Sequence, residues 1–297
     1  MAADRAYRLK KGEDPAAGLG RIAAGRAEKA IEELRGTGEE SDRAEAIHSA
    51  RKDLKKLRSV LRLVRTELGG ERFRAENDRY RGAARRLSAS RDAEIKLATL
   101  TALARRFDGQ LPGDSLTEWQ EALSSGRTAA ATDEALLGEI ERAIGEIEAG
   151  REEIGRWRLP GGSWKLLDPG LERTYRRGRR AKQQAGALRN AEAVHEWRKR
   201  VKDLWYQLRI VQEAWPPILG AMADQAHGLA ELLGEHHDLA LLLTDLEGRR
   251  QLPRKEALAA AIDERQGELL DDALSLGACI YAEKPKAFRC RLSAYWE

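Results

Sequence analysis

The stretch AIHSARKDLKKLRSVLRLV at residues 46–64 reappears as AVHEWRKRVKDLWYQLRIV at residues 193–211, and this repeat limits the possible folds more than any other feature. His48, Arg51, Lys52, Lys55 and Arg62 align with His195, Arg198, Lys199, Lys202 and Arg209. The apolar positions align too: Ile47 with Val194, Leu54 with Val201, Leu57 with Leu204, Leu61 with Leu208 and Val64 with Val211. Further on, ARRLSASRDAEIKL from Ala84 lies over AELLGEHHDLALLL from Ala230, which sets Asp92 against Asp238. The chain therefore reads as two copies of one unit, residues 1–155 and 165–297, joined by the RLPGGSW segment at 158–164.

The repeated unit has helical periodicity. At about 100° per residue, Arg51, Lys52, Lys55 and Arg62 fall within about 60° of His48, while Leu54, Leu57, Leu61 and Val64 gather on the opposite side. From His48 to Arg62 the basic stripe is ~21 Å long at the α-helical rise. The second copy repeats the arrangement. Glycine and proline punctuation predicts helices over 17–35, 42–67, 72–88, 91–106, 115–125, 128–154, 170–184, 191–213, 217–233, 237–248 and 254–282. No stretch alternates with period two, and Ala, Leu, Glu and Arg dominate a composition with only 5% aromatic residues. The expected fold is all-α, built from two copies of one helical unit.

A basic helix face is commonly just the solvated side, but such a side mixes signs for i,i+4 pairing. Between His48 and Arg65 there are seven Lys or Arg and one acid, Asp53. An anion-binding face explains that excess better. The net charge is only +4, so acids concentrate elsewhere, as in GEIEAGREE at 145–153. Arginine outnumbers lysine, 39 to 14, and its planar fork grips phosphate through paired hydrogen bonds. A second basic cluster, GLERTYRRGRRAK at 170–182, carries Arg173, Arg176, Arg177 and Arg180 on one side of a helix. Arg21 and Arg26 occupy the comparable helix of the first half, and Lys284, Lys286, Arg289 and Arg291 lie in a C-terminal segment read mainly as a solvated tail.

The two HxxRK helices, the RD and HD turns after them, and GLERTYRRGRR followed by VHEWRKRVKDLWYQL resemble the CHAD family, the conserved histidine α-helical domain. The resemblance runs over nearly the whole chain. It implies two pseudo-symmetric helical bundles, basic helix faces lining a shared central cleft, binding of inorganic polyphosphate, association with polyphosphate granules, and no catalysis; no cofactor is expected. By match of motif it implicates His48, Arg51, Lys52, Lys55 and Arg62 in one copy and His195, Arg198, Lys199, Lys202 and Arg209 in the other. The candidate set also takes in Arg21, Arg58, Arg173, Arg177, Arg180 and Lys286; Arg58 stands where the second copy has Trp205.

A flexible, uniformly charged polymer without bases calls for many cations and little aromatic surface. Single-stranded nucleic-acid binders usually offer stacking platforms. Trp197 and Trp205 fall toward the apolar side or its edge and read as packing, which disfavours nucleic acid; a nucleic-acid or general polyanion binding module is the alternative. For His48 and His195, neighbouring cations disfavour the imidazolium and bound phosphate favours it; a neutral histidine making one ordinary hydrogen bond is the plain alternative. Asp92 and Asp238 read as caps or arginine-orienting groups. An HD dipeptide, His237–Asp238, also occurs in metal-dependent phosphohydrolases, but its first-copy counterpart is Arg91–Asp92, and an arginine cannot complete a metal site. No metal site is expected. No apolar run is long enough for a membrane span, and Cys279 and Cys290 lack a CxxC partner; reduced thiols in a cytoplasmic protein are expected.

Overall fold

The computed structural model describes residues 5–36, 40–87, 92–125, 133–249 and 251–296, and the regular elements among them are helical. In chain order the α-helices are α1 (Pro15–Arg35), α2 (Glu40–Leu63), α3 (Arg65–Leu68), α4 (Gly70–Arg86), α5 (Asp92–Arg106), α6 (Gly113–Ser125), α7 (Asp133–Gly155), α8 (Asp168–Leu188), α9 (Ala191–Val211), α10 (Pro216–Gly248), α11 (Lys255–Ile280) and α12 (Pro285–Trp296). None of the described helices is long and apolar enough to cross a membrane. Cys279 and Cys290 are exposed free thiols.

Local chemistry sets the ends that matter. Asp14 accepts a hydrogen bond from the Ala17 amide at 2.9 Å, with Pro15 at the first helical position of α1. The same carboxylate accepts from the Gly162 amide, tying the segment between the two copies to the start of α1. These amide donors hold the Asp14 carboxyl below its usual range. Between α8 and α9, Arg189 takes a left-handed conformation (φ 45°) and Asn190 caps Ala193 at 2.9 Å. Two residues thus reverse the chain and set the α8–α9 hairpin.

Three boundaries differ from the periodicity reading. The helix predicted over 42–67 breaks at Val64, so that the short α3 turns away from α2. The helices predicted over 217–233 and 237–248 form one element, α10. Gly234 interrupts nothing there: a Cβ on it would lie 3.3 Å from an Arg198 guanidinium nitrogen, so the glycine serves close approach rather than a turn. The C-terminal segment read as a tail is α12, whose Phe288 and Leu292 are fully buried and whose Phe288 ring stacks on Tyr175 at 4.1 Å. Predicted helix residues 88, 91 and 128–132 lie outside the described residues, as do Arg91 and the Asp92 side chain.

The hydrophobic interior does not divide at 158–164. One cluster joins Leu54, Leu57 and Leu61 of α2 with Val201, Leu204 and Leu208 of α9, and takes in α1, α7, α8 and the first half of α10. The other joins Leu100, Leu103 and Trp119 from α5 and α6 with Leu242 and Leu246 of α10 and Ile262 of α11. At the α2–α9 crossing the buried Ser59 hydroxyl donates to the Asp203 carbonyl at 3.4 Å. Gly170 at the start of α8 is packed on Leu63, whose carbonyl oxygen would be 2.2 Å from a Cβ there. The two basic helices are therefore held side by side by packing on their apolar sides.

Candidate anion-binding cleft

With Leu54, Leu57 and Leu61 turned inward, the opposite face of α2 and its counterpart on α9 border open space. A cavity of about 520 Å³ is lined by His48, Lys52 and Lys55 of α2 and Arg198 and Lys202 of α9, with α5 and α10 closing its far side. A second, of about 510 Å³, is lined by Lys55, Arg58 and Arg62 together with His195, Arg198, Lys199 and Lys202. Lys55, Arg198 and Lys202 belong to both, so the cavities adjoin along one cationic wall.

Lys55 and Lys202, aligned with each other in the sequence repeat, line both cavities. Part of the Lys55 side chain is open to solvent, yet confinement in the cleft, followed by Arg51, Arg198, Arg58 and Lys52, pushes its ammonium down to about 8. Confinement, then Arg198 and Lys55, pushes Lys202 down to about 8 as well. Arg58, which donates to the Asn77 side chain at 3.1 Å, is lowered to about 10, chiefly by burial. Like charges pressed together in a low-polarity cleft are costly without an anion.

The histidines also sit inside. His195 lies 4.2 Å, ring to ring, from His237, and its buried Nδ1 has no hydrogen-bond partner. Burial, then Lys199 and Arg198, holds His195 below its usual value; burial, then His195 and Arg198, takes His237 to about 4. Burial raises the Asp238 carboxyl, against the pull of Arg198 and Lys202. Asp238 therefore faces cleft cations, consistent with an arginine-orienting group. Among the described residues, no three His, Cys, Asp or Glu side chains are grouped so as to hold a metal ion.

Other sequence candidates lie elsewhere. Arg21 is a structural clamp: it grips Glu13 through Nε and Nη2 at 2.7 Å and donates to the Ala6 and Arg8 carbonyls at 3.1 and 2.9 Å. Arg180, Arg209 and Lys286 are exposed and are not among the cleft-lining residues. Arg51 contributes its field to Lys55 but donates to the Leu87 carbonyl at 3.4 Å rather than lining either cavity. Arg173 and Arg177 line a third cavity of about 280 Å³ with Arg62.

The divergence of Arg62 from Arg209 has a local cause. Arg62 pairs with Asp203 of α9 at 3.1 Å. The residue equivalent to Asp203 in the first copy is Lys56, so the mirrored contact would set Arg209 against a cation; Lys56 pairs instead with Asp53 at 3.0 Å.

Sequence reasoning missed Arg65, Arg81 and Arg200. Arg200 was hidden because the aligned first-copy residue is the acid Asp53, and Arg65 and Arg81 have no place in the repeated pattern. Trp205 packs against the core, as read from the sequence, and also faces the cleft. It is half-buried and lines the larger cavity with Tyr206 and His227, to which its ring lies at 4.7 and 4.1 Å. The α10 end of the cleft has an aromatic wall.

The family model of the CHAD domain matches residues 22–247, a span containing both basic helices and their cleft partners on α5 and α10. The chain belongs to the CHAD family. Its fold is similar to that of the crystal structure of the CHAD domain from the plant Ricinus communis, with a TM-score of 0.58 and 19% identity over 99% of this chain and 96% of that one. No curated protein matches it. Helices α11 and α12 lie beyond the matched span, although Phe288 and Leu292 belong to the same core as the basic helices.

The two depressed lysines carry a pH signature. An anion placed between them returns both toward the ordinary range near 10.4. Binding above about pH 8 therefore takes up as much as one proton per lysine, and affinity falls as pH rises from about 8 toward 10.5. An anion held at His195, against which the His237 ring lies, would act with the same sign lower down, its binding strengthening as pH falls below about 6.5. Calorimetry at pH 9 in buffers of different ionisation enthalpy should register the proton uptake.

Proposed function

We propose that this CHAD domain is a non-catalytic receptor for inorganic polyphosphate, held along the cleft between α2 and α9. The observation that supports this best is that Lys55 and Lys202, aligned in the sequence repeat, line the same two cavities, with both ammonium groups depressed to about 8 by confinement and then by repulsion from neighbouring cations. A polymer of closely spaced phosphates relieves that repulsion at successive points, with His48, Lys52, Arg198 and Lys199 continuing the track to either side. Affinity then rises with chain length, because weak contacts joined in one polymer act through effective concentration. It falls with salt as exposed pairs are screened and counterions are released. Such a receptor would accompany polyphosphate granules.

Titration with long-chain polyphosphate, tripolyphosphate and RNA of matched charge at physiological salt tests this reading. The long polymer should bind tightest, RNA should fail to displace it at equal charge, and incubation with Mg²⁺ should release no phosphate. The aromatic wall of Trp205, Tyr206 and His227 favours one second reading, a general polyanion binder that also stacks bases. Equal displacement by RNA would establish that reading. Phosphate release abolished by Asp238→Ala would instead make the protein a hydrolase.

A further inference from the structure

The third cavity differs in chemistry from the cleft beside it. Its cations are all arginine: Arg62 from α2, Arg65 from α3, Arg81 from α4, Arg173 and Arg177 from α8 and Arg200 from α9. One carboxylate, Asp203, lies among them; it is shared by Arg62 at 3.1 Å and Arg200 at 3.2 Å. Arg173 is fixed by donating to the Arg62 carbonyl at 2.9 Å and the Thr66 hydroxyl at 3.2 Å. The Arg65 guanidinium lies over the Phe73 ring at 4.9 Å. Burial, then neighbouring arginines, lowers both Arg173 and Arg177. Asp78 pairs with Arg81 at 3.3 Å and Glu196 with Arg200 at 3.1 Å from outside the lining, so six guanidinium groups held apart by such contacts meet three acids and are arranged for an anion before it arrives.

Shape separates this site from the polyphosphate track. The track runs along two helices and presents lysine and histidine among its arginines to a linear chain, and its second cavity shares Arg62, Arg81, Arg200 and Asp203 with this one. Here forks from five helices converge on about 280 Å³ from several directions. Each fork can take two oxygens of one phosphate, which suits phosphates radiating from a compact body. We propose that the arginine pocket among α2, α3, α4, α8 and α9 is a second anion site, whose ligand is a compact, multiply phosphorylated small molecule. It does not depend on polyphosphate being the ligand of the cleft.

The probe is inositol trisphosphate, with unphosphorylated inositol as control, titrated calorimetrically into the full chain. Saturable binding of one molecule is expected. Arg65→Gln with Arg177→Gln should weaken it at least about tenfold, the worth of one lost charge-assisted hydrogen bond, with long-chain polyphosphate changed by less than about threefold. Lys55→Glu with Lys202→Glu should show the reverse pattern. If the double glutamine variant does not fold, Arg65→Lys, which keeps charge but loses the fork, should still weaken inositol trisphosphate and spare the polymer. The proposal is overturned if wild-type protein does not bind inositol trisphosphate, or if the arginine variants weaken both ligands equally, since the pocket would then be a stretch of the polymer track. Inositol trisphosphate binding without polyphosphate binding would reject the polymer receptor and leave the second site standing.

Discussion

Replacing Lys55 and Lys202 together by glutamate is expected to lower affinity for long-chain polyphosphate by at least about a hundredfold, because each change removes a charge-assisted contact worth about 1.5–3 kcal/mol and adds repulsion. The two single reversals should weaken binding by similar factors, since the lysines face one cleft from opposite sides. Neither should cost stability. Each removes a cation from a place where confinement, and then its neighbours, already depress its charging, so the melting temperature should hold or rise. Fluorescence anisotropy with labelled polymer, alongside thermal melts, measures both effects. If only one lysine mattered, the ligand would be following a single helix rather than the space between two.

Replacing Asp53 by alanine is expected to cost about 3–5 kcal/mol of folding stability, the penalty for leaving a buried charge without its partner. Its side chain is 1% exposed and neutralises Arg26 at 3.1 Å and Lys56 at 3.0 Å, with Lys29 at 3.8 Å. Arg26 itself is 5% exposed, so water cannot replace the carboxylate. Urea denaturation should report the loss. Asp78→Ala is the control: that carboxylate pairs with Arg81 at 3.3 Å with both side chains exposed, and its removal should cost less than about 1 kcal/mol. Replacing Asp53 and Arg26 together by leucine and methionine should restore much of what Asp53→Ala loses, since a buried pair can be exchanged for apolar residues of similar size. If Asp53→Ala behaved like Asp78→Ala, the buried cluster would not be holding α1 to α2.

Most of the helical architecture, and the division of α2 and α9 into an apolar and a basic face, were legible from residue spacing. Leu54, Leu57 and Leu61 are buried, as are Val201, Leu204 and Leu208, while Lys55 and Lys202 border the cleft. Errors arose where a local signal had a tertiary use. Gly234 reads as a break and is instead the place where Arg198 lies against an unbroken helix. The segment of α12 is short and rich in cations, but Phe288 finds Tyr175 across the fold. Asp53, counted in the sequence only as one acid amid seven cations, is the buried counter-ion of Arg26 on a different helix.

By itself the sequence determined the helices and the angular position of each cation on its own helix, because an α-helix sets side-chain direction through a local hydrogen-bonding repeat. It also marked His48 with His195 and Lys55 with Lys202 as equivalent. Which cations share a space depends on how helices cross, and that is decided by contacts between residues far apart in the chain. Packing around Ser59, Gly170 and the apolar stripes brings the two lysines to opposite sides of one cleft. The same packing gives Arg62 an acid, Asp203, and leaves its equivalent Arg209 exposed, because the corresponding partner is Lys56. Only the tertiary structure could decide this, since a helical repeat fixes the direction of a side chain and not the charge it will meet.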